Sequence, residues 1–131
     1  MKKGVFFSRN NTQIERNETD IVMADALTGE VKKRAHNTYP NVSGVLTTGG
    51  GLVFSGYEDG TFIAYDDTTL DELWRINLGS GIDAPPMTFE AGGKQYVAIS
   101  TGLSRVSKNK LTMTPELRDM RNQTMLYVFG M

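Results

Sequence analysis

Apolar and polar residues alternate along this chain in short runs, and glycine-rich turns separate the runs. Short runs rich in Val, Ile, Tyr, Phe and Thr, bounded by turn residues, predict strands. Such runs lie at Gly4–Ser8, Ile21–Ala26, Val31–Ala35, Val45–Thr48, Leu52–Gly56, Thr61–Asp66, Glu72–Leu78, Pro86–Glu90, Gln95–Thr101 and Thr124–Gly130. The breaks between them carry turn chemistry. Gly29 stands where the LTGE turn suits positive φ, Gly49–Gly51 form a loose hairpin tip, Asp59-Gly60 is a strong hairpin signal, and AGGK closes another hairpin. Two stretches lack the pattern and are expected to be non-strand: Arg9–Asp20 and Leu103–Gln123. Within the second, Thr114–Arg121 reads as one short helix. Thr114 can cap it, Pro115 suits the first helical position, and Glu116 favours the positive end of the dipole.

A repeat underlies these strands. AYDDTTLDELW, from Ala64 to Trp74, has a decayed copy in MADALTGEVKK, from Met23 to Lys33. Asp25 matches Asp66 and Thr28 matches Thr69, an offset of 41 residues. A strand-turn-strand repeat of that length marks a β-propeller blade. The strands then sort into one domain of three parts. Residues 1–40 form a blade without its first strand, 41–81 a complete four-stranded blade, and 82–131 a last blade without its fourth strand. The predicted class is all-β, a partial propeller with one short helix near 114–121. Such a stack exposes unpaired edges and uncovered faces at both ends, because repeat units bury their apolar surface on neighbours.

Composition narrows the partners. The chain has 131 residues, enough for one modest core. Its 14 basic and 15 acidic residues leave a formal charge of −1, which argues against nucleic acid or a membrane surface as a partner driven by bulk charge. No cysteine is present, so disulfides, thiolate metal sites and cysteine nucleophiles are excluded. The opening MKKGVFFSRNN breaks off far short of the roughly seven apolar residues of a secretory core. No run approaches the roughly 18 apolar residues of a membrane span. As written, the chain carries no address label, which leaves a cytoplasmic or open location.

Candidate chemistry is sparse. His36 is the single histidine, and Asp20, Asp25 and Glu30 do not stand at a recognisable ligand spacing from it; it reads as a solvated residue after a strand. The triple glycine opens a strand rather than a helix, so it is no phosphate cradle. The acid pairs Glu58/Asp59 and Asp66/Asp67 sit in turns, where carboxylates serve the backbone. Arg105, Lys108 and Lys110 lack the interleaved aromatics of a nucleic-acid surface. Sequons at Asn10, Asn17, Asn41 and Asn122 mark turn-like places.

The run SGVLTTGGGLVFSGYEDGTFIAYDDTTLDELWRINLGSGIDAPPMTFEAGGKQYVAISTG resembles the C-terminal blades of the quinoprotein alcohol dehydrogenases, and the likeness extends from about Ile21 to Met131. The resemblance implies an eight-bladed, periplasmic propeller enzyme using pyrroloquinoline quinone (PQQ) with calcium or a lanthanide ion. The eleven-residue element is similar to that family's tryptophan-docking motif. It keeps Trp74 but has Leu70 in the usual glycine place, whereas the upstream copy keeps Gly29 but has Lys33 in the tryptophan place. By the same resemblance, the metal ligands, the catalytic aspartate and the quinone-stacking tryptophan belong to earlier blades. The segment before GVLTT, at Asn41 and Val42, is the candidate edge contact to the quinone; Asn41 alternatively serves as the turn residue of YPN. No catalytic residue, metal site or bound cofactor is therefore expected of this chain alone. Two functions follow: the terminal segment of a quinoprotein dehydrogenase, inactive by itself, or a stand-alone non-enzymatic β module. Its partner would be a complementing propeller chain or further copies, joined by strand exchange or edge pairing. Rearrangement into a small sandwich or barrel is the competing way to manage the edges.

Overall fold

The computed structural model of the protein describes residues 4–12, 17–104, 114–117 and 122–131. Ten strands build three antiparallel sheets. The first holds β1 (Gly4–Thr12), β2 (Asn17–Asp25) and β3 (Val31–Asn37), in that order. The second holds β4 (Val45–Thr47), β5 (Leu52–Gly56), β6 (Thr61–Asp66) and β7 (Glu72–Asn77). The third holds β8 (Met87–Ala91), β9 (Lys94–Ser100) and β10 (Leu126–Gly130), with β9 central. Three, four and three strands is the distribution that the spacing of turns predicts.

Two details depart from expectation. The polar stretch after Ser8 is not strand-free: β1 runs on to Thr12 and β2 begins at Asn17, with Thr12 opposite Asn17. Backbone pairing carries the ladder past the point where apolar alternation stops, because the hydrogen bonds do not depend on side-chain type. The expected helix is a single 3₁₀ turn at Pro115–Leu117, closed by the Leu117 amide donating to the Thr114 carbonyl at 3.0 Å. Residues 118–121 lie outside the described residues, as do the basic residues Arg105, Lys108 and Lys110.

The second sheet is covered on both faces at its central strands β5 and β6, whereas β7 is exposed along its length. Toward the first sheet it presents Val53, Tyr57, Ile63, Tyr65 and Leu70, which pack with Ile21 and, at the margin, Phe6, Met23, Ala35 and Val45. Toward the third it presents Phe54, Phe62 and Ala64, packed with Ile82, Val97 and Ile99. The Tyr57 and Tyr65 phenols meet at 2.7 Å in the first of these clusters, which satisfies two hydroxyls that would otherwise be buried without partners. Burial pushes both phenols above the usual tyrosine range.

The 41-residue repeat is a repeat of geometry. In the upstream turn Asp25 Oδ1 accepts from the amides of Leu27 and Thr28, each at 2.9 Å, and Thr28 Oγ1 accepts from the Glu30 amide. In the downstream turn Asp66 Oδ1 accepts from Thr68 and Thr69, at 2.7 and 2.9 Å, and Thr69 Oγ1 accepts from Asp71. Each turn follows an irregularity in the ladder at the same place, Met23/Ala24 and Ala64/Tyr65. The seventh position is left-handed in both copies, Gly29 at φ +73° and Leu70 at φ +59°. Leucine there is strained, yet Leu70 is buried against Ile63 and Tyr65. Packing therefore holds a conformation that the backbone disfavours by roughly 1–2 kcal/mol.

Two tests follow. Truncating Leu70 to Ala costs about 2–4 kcal/mol through the cavity. Leu70→Gly, although smaller, is expected to cost about 1 kcal/mol less than Leu70→Ala, because glycine releases the strain; denaturant midpoints of the two variants decide it. Second, the Thr28 and Leu27 amides hold the Asp25 carboxyl below its ordinary value. A depressed folded value means this stabilisation is complete above the ordinary aspartate value and is lost as pH falls through the folded one. Amide protection factors in the β2–β3 turn should drop in acid, and Asp25→Asn should remove that pH dependence.

Candidate functional site

The two residues expected to reach a quinone, Asn41 and Val42, lie on the connection from β3 to β4, where the first sheet gives way to the second. Pro40 precedes them and its carbonyl accepts from the Glu58 amide at 3.0 Å. The connection is thus clamped against the β5–β6 turn.

Asn41 is fully buried and its polar groups are engaged inside the protein. Its amide donates to Thr19 Oγ1 at 2.8 Å, which ties it to β2 of the first sheet. Its side-chain Nδ2 donates to Ser55 Oγ at 2.7 Å and to the Gly56 carbonyl at 2.5 Å, both on β5 of the second sheet. Oδ1 accepts from the Gly44 amide at 3.3 Å. Ser43 completes the knot: its Oγ donates to the Gly56 carbonyl at 3.0 Å and accepts from the Gly56 amide at 3.1 Å. Thr19, Asn41, Ser43 and Ser55 are all buried. One asparagine thereby joins two sheets through a polar network enclosed on all sides. Such networks are costly when any member is removed, because the remaining groups keep their desolvation and lose a partner.

Val42, between two buried polar residues, is half-buried and apolar. It can offer van der Waals contact only. The structure brings Asn41 and Val42 into one turn but engages both donors of the Asn41 amide within the fold.

His36 is placed differently from its sequence reading. It lies within β3 rather than after it, opposite Asp20 on β2. Its Nδ1 is 3.0 Å from Asp20 Oδ1, and its Nε2 is 3.7 Å from Glu18. Arg34 reaches the other Asp20 oxygen at 3.6 Å. This is a cross-strand polar cluster, invisible until the register of β2 against β3 is known. Among the described residues there is no group of three or more His, Cys, Asp or Glu side chains able to hold a metal ion.

Trp74 stands on β7 opposite Ala64, in the place that Lys33 holds opposite Met23 on β3. Its ring meets Phe62 edge-on at 6.2 Å and Phe129 of β10 at 5.4 Å. Edge-to-face geometry at these separations is the favoured aromatic arrangement. The tryptophan therefore spans the second and third sheets, and Phe129 on the final strand is a partner that no sequence spacing pointed to. Beside it the parallel bridge Ile82↔Gly102 and the Gly102 amide bond to Gly81 draw the third sheet in. A Cβ on Gly81 would lie 2.4 Å from Leu103 and 2.6 Å from the Glu58 carbonyl, so only glycine fits at that crossing.

Residues 12–97 match the model of the PQQ family, described as the β-propeller domain of glucose, ethanol and alcohol dehydrogenases. The chain belongs to this family. It is 39% identical over 105 residues to the quinoprotein ethanol dehydrogenase of Pseudomonas putida, covering 77% of this chain and 17% of that protein. It is 51% identical over 59 residues to the dehydrogenase subunit of the alcohol dehydrogenase (quinone) of Acetobacter aceti, 45% of this chain and 8% of the relative. Among solved structures, a europium-containing methanol dehydrogenase superposes with a TM-score of 0.74 at 30% identity, over 91% of this chain and 24% of that one. This PQQ-family chain therefore spans a small part of the length of the relatives it matches. Within that part, both side-chain donors of Asn41 are used inside the fold, on Ser55 and the Gly56 carbonyl.

The network around Asn41 predicts a specific failure. Asn41→Ala should lower stability by about 1–3 kcal/mol, since Ser55 and the Gly56 carbonyl lose their Asn41 bonds and keep only those to the Gly44 carbonyl and to Ser43 Oγ. Asn41→Asp should be tolerated better in acid than at neutral pH, because a carboxylate beside the Gly56 carbonyl is disfavoured and its folded pKa is raised. Stability of that variant then falls as pH rises above the ordinary aspartate value, and urea unfolding across pH measures it.

Proposed function

We propose that this chain is the terminal segment of a quinoprotein alcohol dehydrogenase propeller, and that its role is architectural. It closes part of the ring that holds the quinone and presents the Asn41-Val42 turn at the edge of that site. The observation that supports this most directly is the superposition of 91% of the chain on a methanol dehydrogenase, together with 39% sequence identity to an ethanol dehydrogenase over 105 residues. In this reading the redox chemistry is the cofactor's, and the protein supplies orientation and electrostatics. Asn41 acts as a positioning residue: its hydrogen bonds to both sheets set where the Val42 flank stands. The eleven-residue elements at 23–33 and 64–74 serve as blade-locking motifs.

A stand-alone non-enzymatic module is the second reading. It draws support from the exposed apolar side chains on the two outer sheets, which offer a surface for a protein partner.

The test is dye-linked oxidation of ethanol or methanol in the presence of PQQ and calcium or a lanthanide. The isolated chain should show no turnover and no saturable quinone binding. Co-expression with the propeller of a related ethanol dehydrogenase deleted for the matching segment should restore activity. Robust turnover by the chain alone would overturn this assignment.

A further inference from the structure

The first and third sheets each have one face covered by the second sheet and one face turned away from it. On the first sheet, the outward row contains Val5 and Phe7 of β1, which stand opposite Ala24 and Val22 of β2, with Val31 of β3 opposite Ala24. The repeat identifies what this face is. Shifted by 41 residues, Val22 and Ala24 become Ile63 and Tyr65, whose partners on β5 are Ser55 and Val53. Val53, Ser55, Ile63 and Tyr65 are the face of the second sheet turned to the first, and the two β5 residues there are 0% exposed. Phe7 and Val5, in the same places on β1, are 41% and 49% exposed. The first sheet thus exposes, at its β1 and β3 flanks, places that the second sheet buries, while the central Val22 and Ala24 are 1% and 6% exposed and Arg34 borders Val22.

The third sheet shows the converse. Val97, Ile99, Tyr127 and Phe129 pack toward the second sheet. The alternate residues face away: Met87 and Val128 flank Ala98, and Phe89 stands opposite Tyr96. Met87, Val128 and Leu126 are about half exposed or more, and Phe89 is stacked on Tyr96 at 5.3 Å with one side open.

We propose that these two faces dock on each other between copies, the outward face of the third sheet of one chain on the outward face of the first sheet of the next. Three observations favour a second copy as the occupant. The chain makes this kind of contact twice within itself, first sheet on second and second on third, always between the same two types of face. Its own opposite end supplies the matching face. Finally, a net charge of −1 puts no long-range repulsion in the way. The contact is heterologous, so it propagates head to tail rather than closing as a two-fold dimer. It uses sheet faces, and so differs from strand exchange or pairing at the free edges of β1 and β10. It rests on the stand-alone reading and not on the catalytic one.

Analytical ultracentrifugation of the full chain tests it, with circular dichroism recorded alongside. The expected result is a β-rich chain whose mean mass rises steadily with concentration. Phe7→Lys on one face and Phe89→Lys on the other should each give a monomer with unchanged circular dichroism. Mixed in equal amounts, the two variants should form a species of two chains and nothing larger, because each retains the face the other has lost. Val5→Lys and Val128→Lys form a second pair that gives the same answer should either phenylalanine variant fold poorly. A folded wild-type chain that stays monomeric overturns the docking while sparing the stand-alone reading. So does a mass distribution that all four substitutions leave unchanged. A wild-type chain that is unfolded alone overturns both.

Discussion

A β-sheet with apolar residues on both faces is stable only when both faces are covered, and the central strands β5 and β6 of the second sheet meet that condition between its two neighbours. Val53, Ile63 and Tyr65 are buried on one side; Phe54, Phe62 and Ala64 on the other. Every other feature serves that burial. A slip of one residue in β5 or β6 would exchange the two faces, so register has to be held tightly. The Asp66 turn holds it at one end of β6. Asp59 holds it at the other, accepting from the Thr61 amide at 3.1 Å. The strained Leu70 fits the same logic: its side chain completes the core under the turn, and the backbone conformation is tolerated as a consequence.

The two junctions are built differently. Between the first and second sheets the adhesive is aliphatic packing, the Tyr57–Tyr65 hydroxyl pair and the buried amide of Asn41. Between the second and third it is aromatic, with Phe54, Phe62, Trp74, Tyr127 and Phe129 in mutual ring contact. The repeat explains the contrast. Where the downstream copy has Trp74, the upstream copy has the exposed Lys33, so the first junction lacks a large ring at the equivalent place. Directional polar contacts compensate there. They fix geometry more sharply than ring packing does but stabilise less when any one partner is lost.

Much of the fold was legible because it rests on local signals. Alternation located each of the ten strands to within a few residues, and the Asp-to-Thr spacing located two turns that prove superposable bond for bond. What stayed hidden depends on register or on distant partners. The reach of β1 to Thr12 is set by pairing with Asn17, not by its own residues. The contact of His36 Nδ1 with Asp20 needs the β2–β3 alignment. The eight-residue helix reading at Thr114 used cap chemistry that supports a 3₁₀ turn equally well. Asn41 shows the limit most sharply: Tyr-Pro-Asn marks a turn, but nothing in the chain order indicates that Thr19 and Ser55 converge on that asparagine.

That convergence bears on how a propeller segment can serve a distant reactive centre. A buried amide has two N–H donors, and here Ser55 and Gly56 take both. Redirecting one toward an outside ligand would give up a short bond to Ser55 or to the Gly56 carbonyl inside a buried network, a loss comparable to the new bond's gain. The Asn41 turn therefore favours a fixed scaffold over a direct donor. Its influence on anything bound nearby runs through position: the same bonds that join two sheets determine where Val42 and the following β4 strand stand. In a ring built by repeating such junctions, alignment at the centre is the sum of many small rigid contacts.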